Sequence, residues 1–142
     1  MAWPRHAFWW ACALAAPPVA LATAAAGFAM KVSDVPRDVA VIVAWSVAEE
    51  IVFRGGLQPW LARALPERWQ RRPVTLANLA TSAVFCAAHL WRHPWPLAVA
   101  VFPVSLVYGA AREQSGRVWA PALLHTTFNL LLYAASWLRI GG

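Results

Sequence analysis

Four stretches of the sequence, residues 7–30, 73–91, 94–111 and 118–138, run nearly without charge for long enough to cross a lipid bilayer. A helical span needs roughly 17–25 apolar residues at about 1.5 Å rise each. Hydrocarbon offers no partner to a bare backbone N–H or C=O, so such runs must satisfy their hydrogen bonds internally. That selects helices and excludes an open sheet edge. The composition agrees: 61% of residues are hydrophobic and 13% are charged, against about 25% charged in an ordinary soluble domain. The expected fold is therefore all-α, a polytopic membrane helix bundle forming one domain over residues 1–142.

A fifth segment, residues 37–53, completes the expected set of about five transmembrane helices. Before it, Ser33 or Asp34 is placed to cap a helix start, and Pro36 suits a first helical turn. After it, Gly55 and Gly56 are expected to break or kink the helix. In the first span, Pro17 and Pro18 remove two backbone donors and should bend it. Its apolar run of about 24 residues exceeds a signal-peptide core of 7–15, so a retained span is expected. Between residues 57 and 73, Leu57, Trp60, Leu61 and Leu65 recur at helical spacing with Arg63 and Arg68 off the stripe. This reads as a short amphipathic helix in the membrane interface.

Nine of the ten tryptophans (all but Trp45) fall near the ends of the apolar runs, where an amphipathic ring anchors at headgroup level. The net charge of +6 is placed in the connecting loops. It sets orientation and meets anionic lipid, so no nucleic-acid partner is expected. Arg5, Arg54, Arg63, Arg68, Arg71, Arg72, Arg112 and Arg117 fall on one side, and Lys31, Arg37, Arg92 and Arg139 on the other. That bias expects a cytoplasmic N-terminus. The Ala-, Arg- and Trp-rich composition suggests a bacterial inner membrane. Cys12 and Cys86 lie within apolar runs and fit neither a disulfide nor a metal framework.

Charge inside this apolar chain is the informative exception. The stretch AWSVAEEIVFRGG, residues 44–56, carries Glu49, Glu50 and Arg54. Each charge at mid-bilayer costs roughly 2.5–3.5 kcal/mol on insertion scales, so these groups must face the bundle interior or a wet cavity. At about 100° per residue, Glu50 and Arg54 lie about 40° apart on one face, at the i,i+4 spacing of an ion pair. Glu49 is about 140° from Arg54 and presents another face. One glutamate suffices for a packing pair, so the doublet marks Glu49 as a candidate general base. His89, His125 and Asn129, one turn beyond His125, add polar groups to two further helices. Each alone is more often a hydrogen-bonded core residue; as a set they form a functional-site hypothesis. The pair Arg112 and Glu113 is expected in a solvated loop.

These residues fall into an ordered series. EEIVFR fits E-E-x-x-x-R, FCAAH fits F-x-x-x-H, and HTTFN fits H-x-x-x-N. Residues 102–129 lead from a helix with Phe and Gly through a Gly-containing turn to the His/Asn helix. In this the chain resembles the CPBP family, the type II CAAX-prenyl endopeptidase and bacteriocin-processing intramembrane proteases, over about residues 44–129. The resemblance implies a glutamate-dependent endopeptidase with its site inside the bilayer. Glu49 would activate water, Glu50 and Arg54 would form the supporting pair, and His89 would position or activate the water. His125 and Asn129 would stabilise the oxyanion of the tetrahedral intermediate. The chain departs from the family in having few helices outside the motif core. It also carries Ser105 and Ala111 near positions where glycines are common.

No cofactor is favoured, although two histidines and a carboxylate could bind zinc with one open position. The expected partners are membrane lipid and a membrane-associated protein or peptide substrate. Two rival classes remain at this level. One is a non-catalytic immunity or assembly factor on the same fold, which loss of the glutamate or a histidine would favour. The other is a small transporter or proton conductor that uses Glu49 as a relay.

Overall fold

A computed structural model describes residues 5–66 and 74–140; of Arg5, His6 and Ile140 it describes the backbone alone. The basic residues Arg68, Arg71 and Arg72, and the aromatic residues Trp3 and Trp69, lie outside the described residues. Those that are described form helices and connecting turns. In chain order these are α1 (Arg5–Ala25), α2 (Val35–Glu50), a π-helix (Ile51–Leu57), α3 (Gln58–Ala64), α4 (Leu76–His89), α5 (Trp95–Ser115) and α6 (Trp119–Ile140).

Polar residues share the interior with apolar ones, and many large apolar side chains face outward. Ser46, Glu50, Arg54, Asn78, Thr81, Ser82, Ser105 and Ser136 are fully buried, whereas Trp10, Leu14, Val41, Trp60, Leu79, Trp91 and Trp95 are exposed. Apolar side chains turned outward and small polar ones turned inward suit a lipid surround, in which helices associate through close packing and interhelical hydrogen bonds. Two helical segments, Ala7–Ala25 and Trp95–Ser115, are long and apolar enough to cross a membrane.

The helix ends differ from the sequence expectation for local reasons. The first helix stops at Ala25 rather than running to residue 30. Gly27 takes φ +92°, and the amides of Gly27 and Phe28 turn back to the carbonyls of Ala24 (3.1 Å) and Thr23 (3.2 Å). This is a Schellman closure, and it needs a residue that tolerates the left-handed region. α4 spans 14 residues, about 21 Å, and so falls short of the expected run of residues 73–91. Thr75 sets its start by accepting a 3.0 Å bond from the Asn78 amide. The glycine pair at residues 55 and 56 does not break the chain. It winds instead into the seven-residue π-helix that leads directly into α3.

The chain divides into two compact units, one formed by Met1–Val47 with Leu123–Gly142 and the other by Ala48–Ala122. In the first, Ala20, Ala24, Leu132 and Ala135 form a core, flanked by Met30, Phe128 and Leu131. Asp34 caps α2 by accepting from the Arg37 amide (3.3 Å). Asp38 accepts from the amides of Ser33 (2.9 Å) and Asp34 (3.1 Å), and from the hydroxyl of Tyr133 (2.9 Å). Ser136 accepts from the Met30 amide at 2.9 Å, and Arg139 donates to the Ala24 carbonyl. These bonds tie α1 and α2 to α6.

In the second unit α4 packs closely on α5. Gly109 makes that approach possible, because a Cβ there would overlap the Asn78 carboxamide. Asn78 donates to the Leu106 carbonyl (3.0 Å) and accepts from Ser82 (3.2 Å). Arg112 and Glu113 are not a loop pair, although Glu113 is exposed. Both belong to the last turns of α5. Arg112 donates to the Arg54 carbonyl (3.0 Å), and Glu113 accepts from Gln58 (2.9 Å) and Thr75 (2.5 Å). The amphipathic segment at residues 57–65 is helical over α3, with Trp60 and Arg63 exposed and Leu61 half-buried.

Candidate active site

The junction of α2 with the π-helix brings Glu49, Glu50 and Arg54 into the second unit. Glu50 Oε2 lies 3.3 Å from Arg54 Nε, and both side chains are fully buried. This is the i,i+4 pair that helical spacing calls for. The guanidinium is held from several further directions. Its Nη2 donates to the Ser105 carbonyl (2.9 Å) and hydroxyl (2.5 Å) on α5. Its carbon lies 4.7 Å from the centroid of the Phe85 ring on α4 and 5.8 Å from that of Tyr108 on α5. Removing water from a guanidinium is tolerable only with such pairing, hydrogen bonding and ring contact together. Arg54 thus fastens the π-helix to α4 and α5.

The two glutamates are treated differently by the fold. Glu50 is sealed in, whereas Glu49 is only half-buried. An active-site base has to be reached by water, and Glu49 is the member of the doublet with surface left for it.

His89 closes α4 and is half-buried. Its Nδ1 lies 2.9 Å from the Phe85 carbonyl. A carbonyl can only accept, so Nδ1 carries a proton, and in its neutral form the ring presents the lone pair of Nε2. The ring packs against Phe85 at 4.5 Å between centroids, and Phe85 is itself crossed edge-on by Phe53 at 4.9 Å. His89 is in this way fixed in both tautomer and direction.

A second imidazole, His93, stands beside it, with ring centroids 5.7 Å apart and planes 23° from parallel. His93 is exposed on one side. Its remaining burial, then the neighbouring His89 and Arg92, hold the His93 imidazole below the usual histidine range, while Glu49 acts on it in the opposite sense. Motif reasoning passed over His93; the H-x-x-x-H spacing from His89 was the signal that could have found it.

His125 and Asn129 belong to the first unit, on α6. His125 is buried. Asn129, one turn further on, donates from Nδ2 to the hydroxyl of the fully buried Ser46 on α2 at 3.0 Å. Ser46 was not singled out by sequence; a small hydroxyl in an apolar run gives little warning of such a role. Cys86 donates its thiol to the Ala98 carbonyl (3.0 Å) and serves packing. Within the unit of residues 48–122, no group of three or more His, Cys, Asp or Glu among the described residues could hold a metal ion.

A family model for the Rce1-like type II CAAX prenyl endopeptidases matches residues 31–131. No curated protein and no solved structure matches the chain. The matched region holds Glu49, Glu50, Arg54, His89, His125 and Asn129 and makes up well over half of the 142 residues. With its outward-facing apolar side chains and its ordered glutamate, histidine and asparagine motifs, the chain is a membrane-embedded member of the Rce1-like family of type II CAAX prenyl endopeptidases.

Proposed function

We propose that the protein hydrolyses a peptide bond in a membrane-associated protein or peptide tail, with water activated by Glu49. The observation that carries this reading is the asymmetry of the doublet. Glu50 is committed to a fully buried pair with Arg54, and Glu49 beside it stays accessible. In the proposed step Glu49 takes a proton from water as the oxygen adds to the scissile carbonyl carbon. His89 accepts a hydrogen bond from that water through Nε2, the nitrogen its Phe85 contact leaves unprotonated. The same proton then passes to the leaving amide nitrogen as the C–N bond breaks.

His125 and Asn129 are assigned the oxyanion by their motif. Both carry N–H donors, the chemistry needed where negative charge develops on the carbonyl oxygen. The reading also places the chain in a bacterial inner membrane, with five spans and a cytoplasmic N-terminus. Basic residues are the support for that orientation, eight falling on the side of Arg63 and four on the other.

The test is cleavage in detergent micelles of two fluorogenic probes, a farnesylated CAAX peptide and an apolar C-terminal tail peptide of an exported protein. Wild-type cleavage of either that disappears in Glu49→Gln supports the reading. Cleavage that survives Glu49→Gln removes Glu49 as the base. Cleavage of neither probe turns the balance toward a non-catalytic member of the family.

A further inference from the structure

His93 has no place in the mechanism above, yet the fold ties it to that mechanism. The turn between α4 and α5 hangs on the carbonyl of His89, which accepts from the amides of Arg92 (3.1 Å) and His93 (2.9 Å). The two imidazoles lie nearly parallel, 5.7 Å between centroids. The inner one is anchored by its Nδ1 contact to the Phe85 carbonyl, and the outer one meets solvent. The charged and titratable groups that face His93 are His89, Arg92 and Glu49. Two cationic rings at this separation, beside a guanidinium, repel one another, and a carboxylate favours one proton on the pair. A proton on His89 therefore disfavours one on His93.

We propose that His93 is the outer member of an imidazole pair with His89 and carries protons between the Glu49 site and water. This rests on the reading of Glu49 as the base. The chemistry calls for such a carrier. Hydrolysis forms one C–O bond and breaks one C–N bond, and the water proton held by Glu49 leaves with the nitrogen. The new carboxylic acid then gives up a proton and the new amine takes one, with no other reactant. His89 accepts the proton lost by the acid at Nε2, and a water relays it to His93, which releases it to solvent, from which the amine takes its own. His93 touches neither the scissile bond nor the attacking water. It is a positioning residue for protons, acting through His89.

Two measurements decide this. The first needs no substrate: imidazole nitrogen shifts of His93 are followed through a pH titration in micelles. His93 should titrate at higher pH in His89→Gln, which removes a repelling ring, and at lower pH in Glu49→Gln, which removes an attracting charge. A His93 titration indifferent to both substitutions overturns the proposal, whatever the cleavage assay shows. The second is kinetic, with the probe that the wild type cleaves. His93→Ala should lower kcat about tenfold, a fraction of the roughly 10²–10⁴ carried by direct acid–base groups. KM should hold, the acid limb of the kcat profile should move, and added imidazole should restore turnover. An unchanged kcat and pH profile, or a loss that imidazole does not repair, overturns the proton-carrying role. Retained cleavage in Glu49→Gln with His93 coupling intact would instead retire the glutamate base and leave the pair standing.

Discussion

Glu49 and Glu50 share a side chain and a peptide bond but not an environment, and substitutions should separate them. Glu49→Gln keeps the shape and removes the charge of a half-buried group. We expect cleavage to fall by at least about a hundredfold, with the thermal midpoint in micelles unchanged. Glu50→Ala leaves the buried Arg54 guanidinium without its carboxylate. Breaking a buried pair costs about 3–5 kcal/mol, so this variant should unfold at lower denaturant and lose activity with stability. A well-folded, fully active Glu50→Ala would remove the structural role from that glutamate. The sequence disclosed this division because i,i+4 spacing is a property of any helix. It did not disclose Ser105, Phe85 and Tyr108 around Arg54, since those contacts depend on how α4 and α5 are laid beside it.

At the scale of elements, Gly109 sets how closely α4 and α5 pack. Gly109→Ala should destabilise the protein, because its methyl group meets the Asn78 carboxamide. Asn78→Ala vacates that space while losing its bonds to Leu106 and Ser82. The double variant should therefore lose less than the two single losses added together, a coupling that a double-mutant cycle in denaturant reads directly. Strict additivity would mean that the helices are spaced by something else. Gly27→Ala should cost on the order of 1 kcal/mol through its left-handed backbone, measured the same way. The sequence located the apolar runs and narrowed the cap of α2 to Ser33 or Asp34, of which the structure uses Asp34. It misjudged the ends of α1 and α4, where a Gly27 closure and a Thr75 cap act within a turn while apolar composition carries on past them. At Gly55-Gly56, where a break or a kink was expected, no break occurs. Glycine permits a break but does not enforce one, and here Arg112 on α5 donates to the Arg54 carbonyl within the π-wound segment.

For the whole molecule, outward-facing Leu, Val and Trp side chains and the family's membrane setting give a direct expectation. The protein should stay with the membrane pellet after alkaline carbonate extraction, and release into the supernatant would contradict it. Chelator treatment addresses the chemistry at the same scale. A site run by Glu49 without a metal should keep its cleavage rate after prolonged exposure to a strong zinc chelator. Loss of activity restored by zinc would move the mechanism to a metal-bound water. Family membership was legible because its motifs are short, ordered and carried by single helices. The part played by His93 was not, because it depends on a turn that folds one ring over another.

The π-helix has a consequence for how this protein can vary. Residues 51–57 wind more loosely than an α-helix, so they accommodate an extra residue in the ladder. A deletion of one residue there would let the backbone return to α winding with every hydrogen bond made. Because the wider turn has already absorbed that residue, α3 would keep nearly its present direction, and Gln58 would stay near Glu113. A one-residue deletion is therefore better tolerated in this segment than in the regular winding of α2, where it would turn everything beyond by about 100°.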